Sequence, residues 1–394
     1  MNKIGIDDLD VKNKKVFLRV DFNVPLNDNQ AIVDTTRIDR TLPTIKSLLD
    51  RGAKLAIASH LGRPERADVK FSLAPVARYL ANILDKKVRF SSTIHGDSAK
   101  LAVNSLAAGE CLLFENLRFF PEETKNDPEF SKKIASNFDL YVNDAFGASH
   151  RKHASTYGVA ECFKDAAAGY LLHKELSYLG QAVTNPKRPF IVILGGAKVR
   201  DKIKVVFNLI SKTDIILIGG GMAYSFLHVQ GKEIGKSILD RDSLKIIEKT
   251  LKFAEAEHKK IMLPVDHKVA SNINANIDEV KVVKDIPADL IAFDIGPLTT
   301  EAYSNEIANA SQVLWNGPMG VFEKPVFSLG TLSIAKAMQD CRGTTIVGGG
   351  DSILAINQAK VGASLSHIST GGGASLEFLE GRNLPGVEVL TDKR

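Results

Sequence analysis

Phe190-Ile191-Val192-Ile193-Leu194 runs directly into Gly195-Gly196-Ala197-Lys198-Val199-Arg200-Asp201-Lys202. The apolar run is short and rich in β-branched residues, which suits a strand. The two glycines after it let the backbone turn and come close to a ligand. Lys198 and Lys202 are four apart, so both fall on one face of the helix that follows, whose free N–H groups attract phosphate. The competing reading, two solvated lysines on a helix surface, stands beside it on this stretch alone. Strand, glycine turn and helix together form one βα unit, and such units build parallel sheets.

The same grammar recurs downstream. Strands are expected at Asp214–Ile218, Leu290–Asp294, Gln312–Trp315, Thr344–Val347 and His367–Thr370. Each ends in glycine: Gly219-Gly220-Gly221, Gly296, Gly317, Gly348-Gly349-Gly350 and Gly371-Gly372-Gly373. One such turn is weak evidence, but six glycine-ended strands in one half indicate a nucleotide-sized ligand beyond the carboxyl ends of the sheet. Asp351-Ser352 follows the triple glycine. Asp351 reads either as an oxygen ligand for magnesium or as a plain helix N-cap.

Upstream, strands are expected at Lys15–Val20, Lys54–Ser59, Lys87–Phe90, Cys111–Asn116 and Leu140–Asn143. Their ends are polar and basic. Asp21-Phe22-Asn23 follows the first strand, His60-Leu61-Gly62-Arg63 the second, Arg118 the fourth, and Asp144-Ala145-Phe146-Gly147 with His150-Arg151 the fifth. Arg37 opens the helix after the first loop. A single arginine here reads as a surface ion pair. Four of them (Arg37, Arg63, Arg118, Arg151) at one sheet edge repel one another and call for an anion whose planar oxygens they can fork.

These two halves share a layout but do not align as a repeat. Gly169–Val183 is helical in pattern and ends at Thr184-Asn185-Pro186, a natural boundary. The expected organisation is a first lobe over 1–168, a connecting helix over 169–185, a second lobe over 186–380 and a tail over 381–394. The fold class is α/β, with two Rossmann-like lobes.

Composition excludes several alternatives. The 394 residues exceed what one core usually supports. A net charge of +5 over that length is mild, and the basic pairs are scattered, so nucleic acid is not required. Three cysteines with no C-x-x-C pair fit a reducing compartment. No apolar run suggests a membrane span or a leader, so a cytoplasmic protein is expected. Gly231-Lys232-Glu233-Ile234-Gly235-Lys236-Ser237 has the wrong glycine spacing for a P-loop and follows a helical stretch. Dinucleotide, protein-kinase and hydrolase fingerprints are also missing from the sequence.

The strings Arg19-Val20-Asp21-Phe22-Asn23-Val24-Pro25, Ser59-His60-Leu61-Gly62-Arg63-Pro64, Glu115-Asn116-Leu117-Arg118-Phe119, Asn143-Asp144-Ala145-Phe146-Gly147, Gly195-Gly196-Ala197-Lys198-Val199, Trp315-Asn316-Gly317-Pro318-Met319-Gly320-Val321-Phe322-Glu323 and Ser369-Thr370-Gly371-Gly372-Gly373-Ala374-Ser375 appear in this order. Together they resemble the phosphoglycerate kinase family over essentially the whole chain. The resemblance implies reversible phosphoryl transfer from 1,3-bisphosphoglycerate to ADP, giving 3-phosphoglycerate and ATP, with Mg2+, by a cytoplasmic monomer whose two lobes are joined by a hinge helix.

It further implies that Asp21, Asn23, Arg37, His60, Arg63, Arg118 and Arg151 bind 3-phosphoglycerate. Lys202, Gly219, Gly220, Gly296, Asn316, Glu323, Gly349, Gly350, Asp351 and Ser352 would bind the nucleotide, with Asp351 holding magnesium. Arg37, Lys198, Gly350 and Gly373 would serve catalysis. Two further expectations follow from it: the tail packs back on the first lobe, and the lobes close when both substrates are bound. Lys152 and Arg200 depart from the family pattern without disturbing it. A nicotinamide dehydrogenase would share the layout but not need the arginines. A nucleotide-binding scaffold without activity would not need the anion site.

Overall fold

The computed structural model describes residues 2–197, 199–200 and 202–393. They divide into two compact units. The first comprises the chain up to Ser177 together with Asn383 onward, and the second runs from Tyr178 to Arg382. The division falls inside the helix Tyr170–Thr184.

The first unit is built on β1 (Lys15–Val20), β2 (Lys54–Ala58), β3 (Val88–Ser91), β4 (Cys111–Phe114), β5 (Leu140–Asp144) and β6 (Ala166–Ala168). They form one sheet in the order β3-β4-β2-β1-β5-β6, parallel throughout. Burial on both faces explains the near-continuous apolar runs. Val16, Leu18 and Val20 pack against Ile38, Ile45 and Leu48, which lie on the helix Thr36–Asp50. On the other face Phe17 stacks on Tyr141, with ring centroids 5.8 Å apart. Asp127 caps the helix Pro128–Ala135 by accepting the Phe130 N–H at 2.8 Å, with proline in the first helical position. Residues after Asn383 are stitched into this unit. Asn143 Nδ2 donates to Gly386 O at 2.8 Å, Thr391 N to Ala166 O at 2.9 Å, and Lys3 pairs with Asp392 at 2.8 Å. Val387 and Leu390 are buried there.

The second unit holds β7 (Phe190–Leu194), β8 (Ile215–Ile218), β9 (Lys260–Met262), β10 (His267–Ala270), β11 (Lys281–Val283), β12 (Ile291–Ile295), β13 (Gln312–Asn316), β14 (Thr344–Gly348) and β15 (His367–Ile368). Its parallel sheet runs β15-β14-β13-β7-β8-β9. One expectation needs correcting. The strand expected at Leu290–Asp294 is β12, and it does not join this sheet. It pairs antiparallel with β10, which pairs with β11, in a separate three-stranded sheet. The glycine after it, Gly296, therefore ends a strand of the small sheet. His367–Thr370 also shortens to two residues, with Ser369 Oγ 2.7 Å from Ser375 Oγ just beyond them. Among the described residues no helix is long and apolar enough to cross a membrane.

Asp144 in the first unit and Asp294 in the second are buried acids at helix starts. Asp144 Oδ1 accepts the Leu172 N–H at 2.9 Å, and Asp294 Oδ2 accepts Gly330 N–H at 2.8 Å. Both side chains are fully buried, and burial raises each carboxyl to about 7. A carboxyl whose folded pKa exceeds its unfolded value contributes stability that is complete below about pH 4 and is lost as pH rises through about 7. Asp144→Asn is therefore expected to melt relatively higher than wild type at pH 8 than at pH 5. Calorimetric melts across that range check this, and parallel curves for the two proteins would show that Asp144 is ionised throughout.

Candidate active site

β1 ends at Val20, so Asp21 leaves the sheet at its carboxyl edge. Phe22 N–H donates to Ser59 Oγ at 2.8 Å, tying this turn to the end of β2. Arg37, in the first turn of the helix Thr36–Asp50, reaches back to pair with Asp21 at 2.8 Å. Asn23 Oδ1 accepts the Gly62 N–H at 2.8 Å, which fixes the His60–Arg63 loop beside it.

His60 is buried 3.8 Å from Asp21. Burial holds its basicity well below the usual value. Asp21 opposes this, but the guanidinium groups of Arg19, Arg118 and Arg37 add to the fall. The imidazole is neutral. Arg19 Nη2 lies 3.3 Å from His60 Nδ1, and a guanidinium can only donate, so Nδ1 accepts and the ring proton sits on Nε2. Asp21 is also buried, which alone would raise its pKa. Its pKa is nevertheless lowered, by His60 to the extent that ring is protonated, then by the charges of Arg37 and Arg19 and the Asn23 N–H.

Arg118 donates to Gly62 O, and its buried Nε has no hydrogen-bond partner. Its pKa falls to about 10, through burial first and then the charges of Arg151, Arg19 and Arg63. Arg63, Arg118 and Arg151 line one cleft of 470 Å³ together with His153, which burial and then the charges of Arg19, Arg118 and Arg151 push down to about 4. The first unit thus concentrates guanidinium charge that its own carboxylates do not cancel.

Several residues the sequence did not mark support this edge. Arg19 is 1% exposed in the middle of a strand. It donates to Val20 O, and its Nε donates to Ser155 Oγ at 2.7 Å. Ser155 in turn donates from Oγ and N to the buried Glu123 at 2.6 and 2.9 Å. Glu123 balances Arg19 through that hydroxyl, and Arg19 fixes the His60 tautomer. The available signal was a lone charge within an otherwise apolar strand, which must find a partner when buried.

In the second unit the glycine turns converge. Gly196 N donates to Pro318 O and Gly220 N to Met319 O, each at 2.8 Å. A Cβ on Gly220 would lie 2.5 Å from Gly196 N, and its φ of +63° suits glycine. Lys202 Nζ donates to Gly195 O and lies 3.4 Å from Asn316 O. Ser352 Oγ accepts the Gly317 N–H at 2.6 Å, locking the turn after β13 to the helix Gly350–Ala359. Asn316 is 2% exposed, and its buried Nδ2 has no partner beside Gly349. That unused donor fits a phosphate oxygen. Gly349 is the N-cap of this helix, so Asp351 stands in its first turn instead of capping it.

A cleft of 340 Å³ opens here. Gly220, Tyr224, Phe293, Glu323 and Asp351 are on its wall. Gly219 lies directly behind, against Met319. Ile291, Ala292 and Phe293 line the cleft on the β12 side, and Gly296 follows that strand with Asp266 in the space a Cβ would take. Gly373 opens the short helix Gly373–Leu379. Lys198 lies outside the described residues.

Residues 6–382 match the family model for phosphoglycerate kinase. The chain belongs to the phosphoglycerate kinase family. It is similar to "Phosphoglycerate kinase" of Koribacter versatilis, 52% identical with all of both chains covered, and to that of Clostridium novyi, 49% identical with the same coverage. Among solved structures, phosphoglycerate kinase from Coxiella burnetii superposes with a TM-score of 0.91 at 38% identity, and that from Pyrococcus horikoshii with 0.80 at 34%. Each covers 98% of both chains. The activity is accordingly that of a phosphotransferase with a carboxyl acceptor: reversible transfer between 1,3-bisphosphoglycerate and ADP, in glycolysis and gluconeogenesis.

Proposed function

We propose that the arginine edge of the first unit holds the phosphoglycerate substrate and the glycine cleft of the second holds ADP or ATP with Mg2+. The observation that carries this reading is the convergence of Arg63, Arg118 and Arg151 on one cleft, where the buried Nε of Arg118 has no hydrogen-bond partner. Arg63, Arg118 and Arg151 supply forks for the substrate phosphate. Asp21, Asn23, Arg37 and the Nε2–H of His60 orient the glycerate. Lys202, Asn316 and the N–H groups of Gly349, Gly350 and Gly373 receive nucleotide phosphates, with Ser352 holding the turn. Gly219 and Gly220 allow the base to approach, Gly296 supports that side through Asp266, and Glu323 accepts ribose hydroxyls.

Asp351 suits magnesium. It is an exposed carboxylate at the cleft, and no cluster of three metal-binding side chains occurs among the described residues. That matches a cation bound mainly by phosphate oxygens and water. When bound, Mg2+ offsets the charge of the nucleotide phosphates.

Towards ATP, a terminal oxygen of ADP attacks the phosphorus of the acyl phosphate, and the bond to the carboxylate oxygen breaks. Nucleophile and leaving group are both anions, so no proton moves and no general base is needed. Catalysis is positioning and charge stabilisation. Arg37, Lys198 and the glycine N–H groups meet the charge on the equatorial oxygens. We read the enzyme as a cytoplasmic monomer that needs neither nucleic acid nor membrane. Its free cysteines, Cys111, Cys162 and Cys341, support a reducing compartment.

Arg63→Ala tests the division of labour. Arg63 is exposed on the first unit, so the fold should tolerate the change. Calorimetric titration is expected to show 3-phosphoglycerate binding weakened about tenfold or more, the scale of a lost charged hydrogen bond, with ADP affinity unchanged. Equal losses for both ligands would end the assignment of one ligand to each unit.

A further inference from the structure

A second cleft, of 480 Å³, lies in the second unit and shares no wall residue with the glycine cleft. Leu227, Leu263 and Val265 give it an apolar side. Lys232, Glu233, Lys284 and Asp285 stand at its rim, two of each sign, all four exposed. None of the four is held in an ion pair among the described residues. His267 also lines the cleft. It is 3% exposed, and its buried Nδ1 has no hydrogen-bond partner. Buried polar atoms without partners are rare and call for an explanation. Burial keeps this imidazole neutral, so it can donate from one nitrogen and accept at the other.

We propose that this cleft is a second small-molecule site, built for a zwitterion with an apolar body, such as an α-amino acid carrying an aromatic or branched side chain. The apolar wall takes the side chain. The lysines meet the carboxylate, the acids meet the ammonium, and the neutral His267 imidazole, whose Nδ1 is left without a partner, stands at the wall to receive a hydrogen bond as the site closes on its ligand. A simple anion would gain from Lys232 and Lys284 but be opposed by Glu233 and Asp285. A simple cation faces the reverse. Only a ligand carrying both charges uses the whole rim.

This site also touches the glycine cleft. The His267 ring lies 5.7 Å from that of Tyr224, and Tyr224 lines the other cleft from the helix Gly220–Val229, whose first residues are the Gly220-Gly221 turn. A ligand that moves His267 therefore shifts the nucleotide wall, and linkage makes the effect reciprocal. This coupling rests on the nucleotide reading above; binding itself does not.

The probe is L-phenylalanine, titrated into the full-length enzyme with isotopically labelled histidines and followed by NMR. His267→Phe assigns the ring signal. Phenylacetate and phenethylamine are the single-charge controls. L-Phenylalanine is expected to shift the His267 resonances saturably, with a dissociation constant of about 1 mM or below, and each control to bind at least about tenfold more weakly. Lys284→Met and Asp285→Asn, both at exposed positions, should each weaken L-phenylalanine several-fold while leaving the melting temperature unchanged. No saturable shift by about 20 mM, or a control binding as tightly as the amino acid, overturns the site. A separate titration of ADP with and without L-phenylalanine reads the coupling, expected as a change in affinity of about fivefold or more, the lower end of what is typical of linked sites. Unchanged ADP affinity with the probe bound would remove the coupling and leave the site.

Discussion

Arg37→Met is expected to lower kcat by about 10²–10³, the usual loss when one preorganised charge donor is removed from a transition state. Methionine keeps the length and apolar stem of the side chain, so the loss reads the guanidinium and not a hole. Arg37 has a second task that makes the outcome diagnostic. It pairs with Asp21 at 2.8 Å, and Asp21 is almost wholly buried. Without Arg37, Arg19 and the Asn23 N–H remain to hold that carboxylate down, against burial that pushes it up. Activity of the variant should therefore fall at a higher pH than wild type as the solution is acidified, when Asp21 takes a proton and no longer orients ligand. Steady-state rates from pH 5 to 8 measure both effects. A variant with wild-type kcat at pH 8 would show that Arg37 serves only to hold Asp21.

How much of this was legible depended on which residues carried the signal. β7 was read with its true ends because Phe190–Leu194 is apolar throughout and bounded by Pro189 and Gly195. The arginine edge was legible because each strand of the first sheet delivers its following residues to the same side. The small antiparallel sheet was not. His267–Ala270 and Lys281–Val283 are short, and Lys281 and Val282 are exposed, so neither length nor alternation marks them. Their pairing depends on contacts far apart in the chain. That omission also misplaced β12.

Arg19 illustrates a different limit. It stands in the quoted string Arg19-Val20-Asp21, yet its role depends on Ser155 and Glu123, which lie over a hundred residues downstream. A sequence shows that a buried strand contains a charge. It does not show which distant acid balances it, nor that the same guanidinium sets the tautomer of His60. Positioning groups of this kind are legible only once the fold has brought their partners together.

Gly350→Ala separates backbone chemistry from backbone conformation. Around it stand glycines the fold itself demands. Gly349 has φ +92° and Gly317 φ +97°, values an L side chain rarely adopts, and a Cβ on Gly317 would collide with Lys202 Nζ. Gly350 is free of both constraints. A Cβ there meets nothing within 4 Å, and the residue begins the helix Gly350–Ala359. By helix propensity, alanine should be neutral to stabilising, by up to about 1 kcal/mol. Among the described residues nothing crowds this position. On the proposed nucleotide reading, a phosphate rests on the helix N-terminus, and a methyl group would stand where an oxygen must reach the N–H. The variant is expected to melt at or slightly above the wild-type temperature and to lose turnover by about 10² or more, the scale of one lost N–H donor. Gly317→Ala should instead lose stability. Melting curves and steady-state assays on the two variants decide the matter. Full turnover by Gly350→Ala would place the transferred phosphate elsewhere in the cleft.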